Sequence, residues 1–248
     1  MKKILIAFFA VAFAALLSTP AEAIVQVEGR YWFSTLDSNV KATGGGVGTD
    51  IDLVNTLGMD EKSNFFDGRV VLELGGHSLR YGYVPLSWKG TGSDSLAIVF
   101  NGQTYTANVA IDSELTLDYH RLAYQYNFID TLDNHLGVIA ELKYFNIDAK
   151  LESAVRDETI SFGAPVPTVG LSAQVAIPFL IKLNGEATGI SLGDKAYMYD
   201  AEISLSYKPL PFFDLAGGYR VFKLHVEDGN DEADIEVNGP FIMLRADF

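Results

Sequence analysis

Two pairs of residues have the types and spacing to take part in acid–base chemistry. Asp118 and His120 are separated by one residue, so on a β-strand their side chains point to the same face. Asp50 and Asp52 form a second pair with the same spacing. A carboxylate can orient an imidazole that activates water, which is the chemistry of a hydrolase. Because pairs this short occur often by chance, and a polar network is the simpler interpretation, we expect no catalytic activity and keep a surface hydrolase as an alternative.

The segment from Glu227 to Asp234 is the densest acidic run in the chain. Carboxylate oxygens at this density could hold a hard cation such as Ca²⁺, but the segment lacks the spacing of an EF-hand loop. A solvated acidic loop is the simpler interpretation, so we predict neither a metal nor a cofactor. The chain contains no cysteine, which excludes a disulfide framework and a thiolate metal site.

The net charge of the chain is −14 at pH 7, from 18 basic and 32 acidic residues. Nucleic-acid binding needs clustered Lys and Arg, so this balance argues against a nucleic acid as partner. The length of 248 residues suits one domain with a sizeable core.

The start of the chain has the features of an export signal. Positions 2 and 3 are lysines, an apolar run extends from Ile4 to Leu17, and Ala21 and Ala23 form an A-x-A cleavage pattern. The apolar run is too short for a transmembrane helix, which needs roughly 20 residues. We therefore predict a signal peptide over residues 1–23 and a single mature domain over residues 24–248. Since no second long apolar run follows, the mature chain would have to enter a membrane with β-strands.

Alternating polar and apolar residues predict about ten β-strands, each close to the roughly 9 to 11 residues that a tilted membrane strand requires. The predicted strands run from Ile24 to Leu36, Asn64 to Leu74, Ser78 to Trp88, Ser113 to Phe128, His135 to Leu151, Ala164 to Ile177, Phe179 to Gly189, Ala196 to Tyr207, Phe212 to Val226 and Ala233 to Phe248. Short connections alternate with mostly longer ones, as in an up-and-down barrel. The predicted fold class is all-β, an antiparallel up-and-down transmembrane β-barrel.

One face of these strands is apolar, and the other carries charges of both signs. In the fifth strand, small and aliphatic residues from Leu136 onward end at Tyr144, which is typical of a lipid-facing band bounded by aromatic residues. Tyr83, Trp88 and Tyr197 lie toward the loop ends, where the outer aromatic girdle is expected. We predict that the charged face forms a polar network inside the lumen, made of Glu28, Arg30, Asp67, Arg69, Glu73, Arg80, Asp118, Glu141, Lys143, Glu186, Glu202, Arg220 and Arg245.

The fourth strand breaks this pattern. Leu115 and Leu117 occupy one parity, whereas Leu122 and Tyr124 occupy the other. Either a β-bulge falls near His120, or the upper half of the strand projects above the membrane. The sequence leaves both alternatives open.

The last strand ends at Phe248, with Ile242 and Leu244 on the same face. It resembles the closing strand of bacterial outer-membrane barrels, which typically ends in Phe. Segments 48–58, 99–105 and 199–202 are similar to those of an uncharacterised family of small outer-membrane β-barrel proteins of Gram-negative bacteria. This resemblance implies an outer-membrane location, contact with lipid and lipopolysaccharide, and insertion by the barrel assembly machinery through the C-terminal strand. The Asp–His and Asp–Asp pairs are similar to those of the omptin proteases, which motivates the hydrolase alternative.

The charges on the inner face nearly balance, so they can pair with one another inside a narrow barrel of about ten strands. We therefore expect a monomeric barrel with a largely plugged lumen and a structural or passive small-solute role. A surface enzyme, or a surface-binding protein that acts through acidic loops, is the alternative.

Overall fold

The structure is a computed structural model that describes residues 24–41, 49–92, 98–100, 103–105, 109–131, 133–154 and 156–248. The predicted signal peptide at residues 1–23 lies outside the described residues and stays a prediction. Among the described residues, no helix is long and apolar enough to cross a membrane.

The chain forms thirteen β-strands, in agreement with its alternating pattern. They are β1 (Ile24–Lys41), β2 (Asp50–Asp52), β3 (Lys62–Leu74), β4 (His77–Gly92), β5 (Ile98–Phe100), β6 (Gln103–Tyr105), β7 (Ile111–Asp130), β8 (His135–Ser153), β9 (Arg156–Ile177), β10 (Ile181–Ser191), β11 (Ala196–Leu210), β12 (Phe213–Asp228) and β13 (Asp231–Asp247).

Ten of the strands close into one antiparallel barrel. The order of neighbours is β1, β3, β4, β7, β8, β9, β10, β11, β12 and β13, and β13 pairs back to β1 from Gln26 with Asp247 to Lys41 with Glu232. The short strand β2 pairs with the end of β1, beyond the point where β3 leaves it. Strands β5 and β6 form a separate hairpin. The predicted fold class is confirmed.

The two ends of the barrel differ in their connections. The turn end holds Ile24, Phe248 and the short connections after β3, β7, β9 and β11. The loop end holds the long connections after β1 and β4, but the connections after β8, β10 and β12 are tight turns. The expectation of mostly longer loops at this end was therefore wrong for three of five connections, because the strands themselves continue further. Strand β9, for example, begins at Arg156 rather than at Ala164.

Most of the long strands reverse their polarity part of the way along. On β8, the outward residues are apolar as far as Tyr144, whereas the next outward residue, Asn146, is polar and exposed. The inward residues change in the opposite sense, from the buried Lys143 to the buried Phe145. A strand that is apolar outside and charged inside lies in the hydrocarbon layer, and one with the reverse pattern lies in water. The reversal therefore marks the membrane surface on the loop side.

The same reversal explains why the apolar residues change face in the fourth predicted strand, which is β7. Its pairing with β8 is unbroken from Ile111 to Asn127, so there is no bulge near His120. Leu117 is buried inside the barrel, and Leu122 lies on the outward face five residues further along. Of the two alternatives, the projecting upper half is therefore correct, and the apolar residues change face because the strand leaves the membrane.

Replacement of Leu142 by arginine should lower the free energy of unfolding by roughly 2 to 4 kcal/mol, the cost of a charge facing the middle of the bilayer. Asn146→Arg places the same side chain on the same strand and face above the membrane, where the cost should be about 0 to 1 kcal/mol. Reversible unfolding in lipid vesicles would measure both. Equal costs for the two variants would show that the membrane surface does not lie between them.

Candidate functional site

The most distinctive site in the described residues is a network of buried charges across the middle of the lumen. It contains seven cations and seven carboxylates, joined into one continuous set by ion pairs of 4.0 Å or less. Its members are Glu28, Arg30, Asp67, Arg69, Arg80, Arg121, Glu141, Lys143, Glu186, Asp200, Glu202, Asp214, Arg220 and Arg245. Equal numbers of opposite charges leave the set neutral, which suits a region that excludes water.

Arg220 is the most enclosed member, with a side chain that is 0% exposed. Its Nε and Nη2 atoms each donate to Asp200 at 2.9 Å, and Nη1 donates to Asp67 at 3.3 Å. Nη2 also donates to the hydroxyl of Tyr119 at 2.7 Å, and the guanidinium stacks 4.8 Å from the Trp32 ring. The planar fork of arginine satisfies several partners at once, which a lysine could not do here.

Lys143 forms a second centre on β8. Its Nζ lies 2.8 Å from Glu141 and 3.4 Å from Asp200, and it donates to the Thr188 hydroxyl at 2.7 Å. Glu141 also accepts from the Thr168 hydroxyl on β9 at 3.2 Å. The charged members of the network lie on the other nine barrel strands. The contact of Thr168 with Glu141 adds β9, so every barrel strand takes part in the network. The network therefore links the whole circumference of the barrel.

The structure places eleven of the thirteen predicted lumen residues in this network. Glu73 also faces the lumen, but it lines the space below the network at the turn end. Asp118 is a correction: it lies on the outward face of β7, where its carboxylate accepts a hydrogen bond from Tyr83 at 3.0 Å. The predicted set of thirteen leaves out Arg121, Asp200 and Asp214, although the inward parity of β7 identifies Arg121 once the strand is known to have no bulge.

The two pairs considered for catalysis have structural partners. His120 lies on the outward face, where its Nδ1 is 2.9 Å from the Tyr81 hydroxyl and its ring stacks on Tyr83. Asp52 accepts hydrogen bonds from the backbone N–H groups of Val54 and Asn55 at 3.0 and 2.9 Å. Partial burial works against ionisation of Asp52, but these bonds hold the pKa of its carboxyl below the ordinary value.

An apolar layer fills the lumen between the charge network and the loop end. Strand residues such as Leu86, Leu117 and Phe222 are 0% exposed there. The long connections fold inward and complete the layer with Ile51, Leu53, Leu57, Met59, Phe100 and Tyr105, all buried. Trp88 belongs to this layer, packed edge-to-face against Phe65 at 5.1 Å, so its predicted place in the outer aromatic girdle was wrong.

Below the network, a cavity of about 450 Å³ opens at the turn end. Polar and charged side chains line this cavity, including Glu73, Arg80, His135 and Asp214. Its inner boundary is formed by members of the charge network such as Glu186. The cavity is therefore a blind vestibule within the described residues, open toward one side of the membrane.

The acidic run from Glu227 to Asp234 is a tight hairpin rather than a loop. Glu227 pairs with Glu232, and Gly229 takes a positive φ of 67° at the turn, which suits glycine. Asp234 accepts from Lys223 and lies 3.1 Å from His225 Nδ1. Among the described residues, no group of three or more His, Asp or Glu side chains is arranged to hold a metal ion.

Comparisons with known proteins give a fold but no family. No family model matches the chain, and no curated protein sequence matches it. The solved structure of the outer membrane protease OmpT from Escherichia coli aligns with a TM-score of 0.60 at 11% identity, covering 94% of this chain and 99% of that one. The chain has the fold of an outer-membrane β-barrel protein. Its apolar band and this likeness place the barrel in the outer membrane, as predicted.

Other outer-membrane structures align more loosely with this barrel. The attachment invasion locus protein Ail of Yersinia pestis has a TM-score of 0.40 at 12% identity, covering 92% of this chain and 99% of that one. The toluene transporter TodX of Pseudomonas putida has a TM-score of 0.37 at 10% identity, covering 94% and 93%. A shared fold does not by itself imply a shared activity.

Proposed function

We propose that the protein is a sealed, structural barrel of the outer membrane that carries a compact extracellular head. The head comprises β2, β5, β6 and the parts of the barrel strands that lie beyond Tyr83, Tyr144 and Tyr219. The observation that carries this proposal is the closure of the lumen by two successive layers, one of paired charges and one of apolar side chains.

The charge network supports a structural role because its members depend on one another. Removal of one partner from a buried ion pair leaves the other charge buried and unpaired, which is costly. Most members contact two or more opposite charges; Glu186, for example, meets Arg69, Arg80 and Arg121 at 3.2, 2.6 and 3.0 Å. A network of this kind holds the strands in register and leaves little room for a water path.

The apolar layer supports the same role from the other side. Ions and small polar solutes would have to cross a mostly apolar region with few hydrogen-bonding groups, which carries a large desolvation cost. The vestibule below the network admits molecules from the periplasmic side but ends at paired charges. Passage of small solutes is therefore the less favoured form of the proposed passive role.

Catalysis is not part of the proposed function. The Asp118 carboxylate and the His120 imidazole point outward at the membrane surface and bind tyrosine hydroxyls. The space above the network, where a substrate would reach groups inside the barrel, is filled by side chains such as Trp88 and Tyr105. Incubation of the purified barrel with casein tests this part, and cleavage that disappears in Asp118→Asn would contradict it.

We propose that the barrel is a monomer in contact with lipid and lipopolysaccharide, inserted by the barrel assembly machinery through its last strand. The contacts of Phe248 support insertion through the last strand, because its backbone closes the barrel between β13 and β1 by hydrogen bonds of 2.8 and 3.1 Å with Val25. Its side chain remains 78% exposed and available to lipid or to another protein.

Liposome swelling tests the sealed barrel directly. Liposomes that contain the barrel and are diluted into isotonic glycine or arabinose should swell no faster than protein-free liposomes. A general porin reconstituted in parallel shows that the assay detects a channel. Solute-dependent swelling that scales with the amount of barrel protein would contradict the proposed function and favour transport.

A further inference from the structure

Strands β9 and β10 separate within the outer half of the membrane. Their ladder ends where Gly189 pairs with Val169, and beyond it β10 continues only to Ser191, paired with β11 alone. Strand β9 continues on the other side of the gap to Arg156, paired only with β8. Within the described residues, this edge of β9 has no strand partner over residues 156–168.

A groove lies in this gap, which we call the seam groove. Its volume is about 770 Å³, within the roughly 300 to 1,000 Å³ typical of pockets for small ligands. Most of its lining is apolar, and the main contributors are Pro167, Val169, Ile190, Tyr197, Met198 and Tyr199.

The seam groove opens toward lipid rather than toward the lumen. Val169 and Tyr199 belong to the outward face and are 71% and 41% exposed, whereas Met198 closes the inner side and is 2% exposed. Tyr144, which pairs with Pro165, is the last aromatic residue on the outward face of β8 before the polar Asn146. The groove therefore begins in the outer half of the hydrocarbon layer and ends near the membrane surface.

Where the free edge of β9 faces hydrocarbon, it presents backbone carbonyl groups but lacks the N–H donors of an ordinary strand edge. The N–H of Ala176 donates to the Asn134 side chain on the β8 side, at 2.9 Å. Since donors alternate between the two sides of a strand and the register is uninterrupted, the N atoms of Pro165 and Pro167 face the gap. Proline has no N–H, so two donors are missing where unpaired groups would face lipid.

We propose that the seam groove binds one acyl chain of an outer-leaflet lipid. The occupant follows from the continuity of the groove with the lipid-facing band, from its apolar lining and from its proline edge. A strand of a second copy would gain less there, because Pro165 and Pro167 cannot donate to a ladder. An acyl chain needs no hydrogen bonds and gains stability from each methylene that it buries.

Native mass spectrometry can test this proposal on the intact barrel released from vesicles of phosphatidylethanolamine and phosphatidylglycerol. The unmodified protein should retain one phospholipid per barrel. Val169→Trp fills the groove, and a loss of contact with about two methylenes is enough to lower lipid retention about tenfold. Val175→Trp is the matched control, because Val175 is an outward, exposed residue of the same strand where β10 is still paired. This control should retain lipid as the unmodified protein does.

Heat-modifiable gel mobility establishes that each variant is folded. Ser191→Trp, at the upper mouth of the groove, provides a second blocking variant if Val169→Trp folds poorly. Failure of the unmodified barrel to retain lipid, or equal loss in the blocked and control variants, would overturn the proposal. A dimer that Val169→Trp dissociates would also overturn it, since the occupant would then be a second copy.

Discussion

Replacement of Arg220 by alanine should lower the free energy of unfolding by roughly 3 to 5 kcal/mol, the cost of breaking a buried ion pair by removing one partner. The guanidinium is fully buried and donates to Asp200, Asp67 and Tyr119. Its loss leaves two carboxylates in the lumen with fewer counter-charges. Urea titration of the barrel in vesicles, followed by tryptophan fluorescence, would measure the change.

Lys223→Ala on the same strand is the matched control. Lys223 lies on the outward face of the head and pairs with Asp234 at 3.3 Å and Glu236 at 3.4 Å. Ion pairs at the surface contribute about 0 to 1 kcal/mol, and these pairs are partly exposed, so this variant should be close to the unmodified protein in stability. If Arg220→Ala were as mild as Lys223→Ala, the charge network would not hold the barrel together.

Replacement of Leu117 by lysine should be at least as damaging, with a cost of about 4 kcal/mol or more, because it buries an unpaired charge in the apolar layer. Leu117 is 0% exposed inside the head. Thr116→Lys changes the neighbouring residue, which faces outward and pairs across the sheet with Asp148. That variant should change stability by about 0.5 kcal/mol or less, as is usual for surface substitutions.

The same urea titration distinguishes the two lysine variants. The difference in stability between the two variants tests the reversal of polarity along β7, because it depends on which face of the strand is buried away from water. A larger cost for Thr116→Lys than for Leu117→Lys would place the apolar face of the upper strand against lipid. The head would then lie within the membrane.

The barrel itself could be predicted from the sequence because its signals are local. Alternation along each strand and the tight turns between strands point to the same fold. The ten predicted strands correspond to the ten barrel strands, with the largest error at the start of β9. That end is above the membrane, where the outward face is no longer apolar and the alternation that defines a membrane strand is lost.

The lumen network could be predicted only in part. Parity along strands below the membrane surface placed residues such as Glu141 and Lys143 on the inner face, where the structure has them. The prediction that Asp118 faces the lumen was wrong, because the inward parity of charged residues does not continue beyond the point where a strand leaves the membrane. Ion-pair partners such as Arg220 and Asp67 are 153 residues apart, and no local pattern could have paired them.

The apolar layer was beyond sequence reasoning for a related reason. The segments that supply Leu57 and Phe100 lie in the long connections, outside the predicted barrel strands. They fold inward because the upper strands already present an apolar inner face that must be covered. A second closing layer is therefore a property of the assembled barrel.

Conductance of the unmodified protein in planar lipid bilayers is the most direct test of the sealed lumen. Two closing layers predict no steady conductance above that of the protein-free bilayer. The double variant Glu141→Ala and Lys143→Ala should also show no steady conductance, because the apolar layer still closes the head. Stable, porin-sized conductance steps from the unmodified protein would contradict the account and show that an aqueous path crosses both layers.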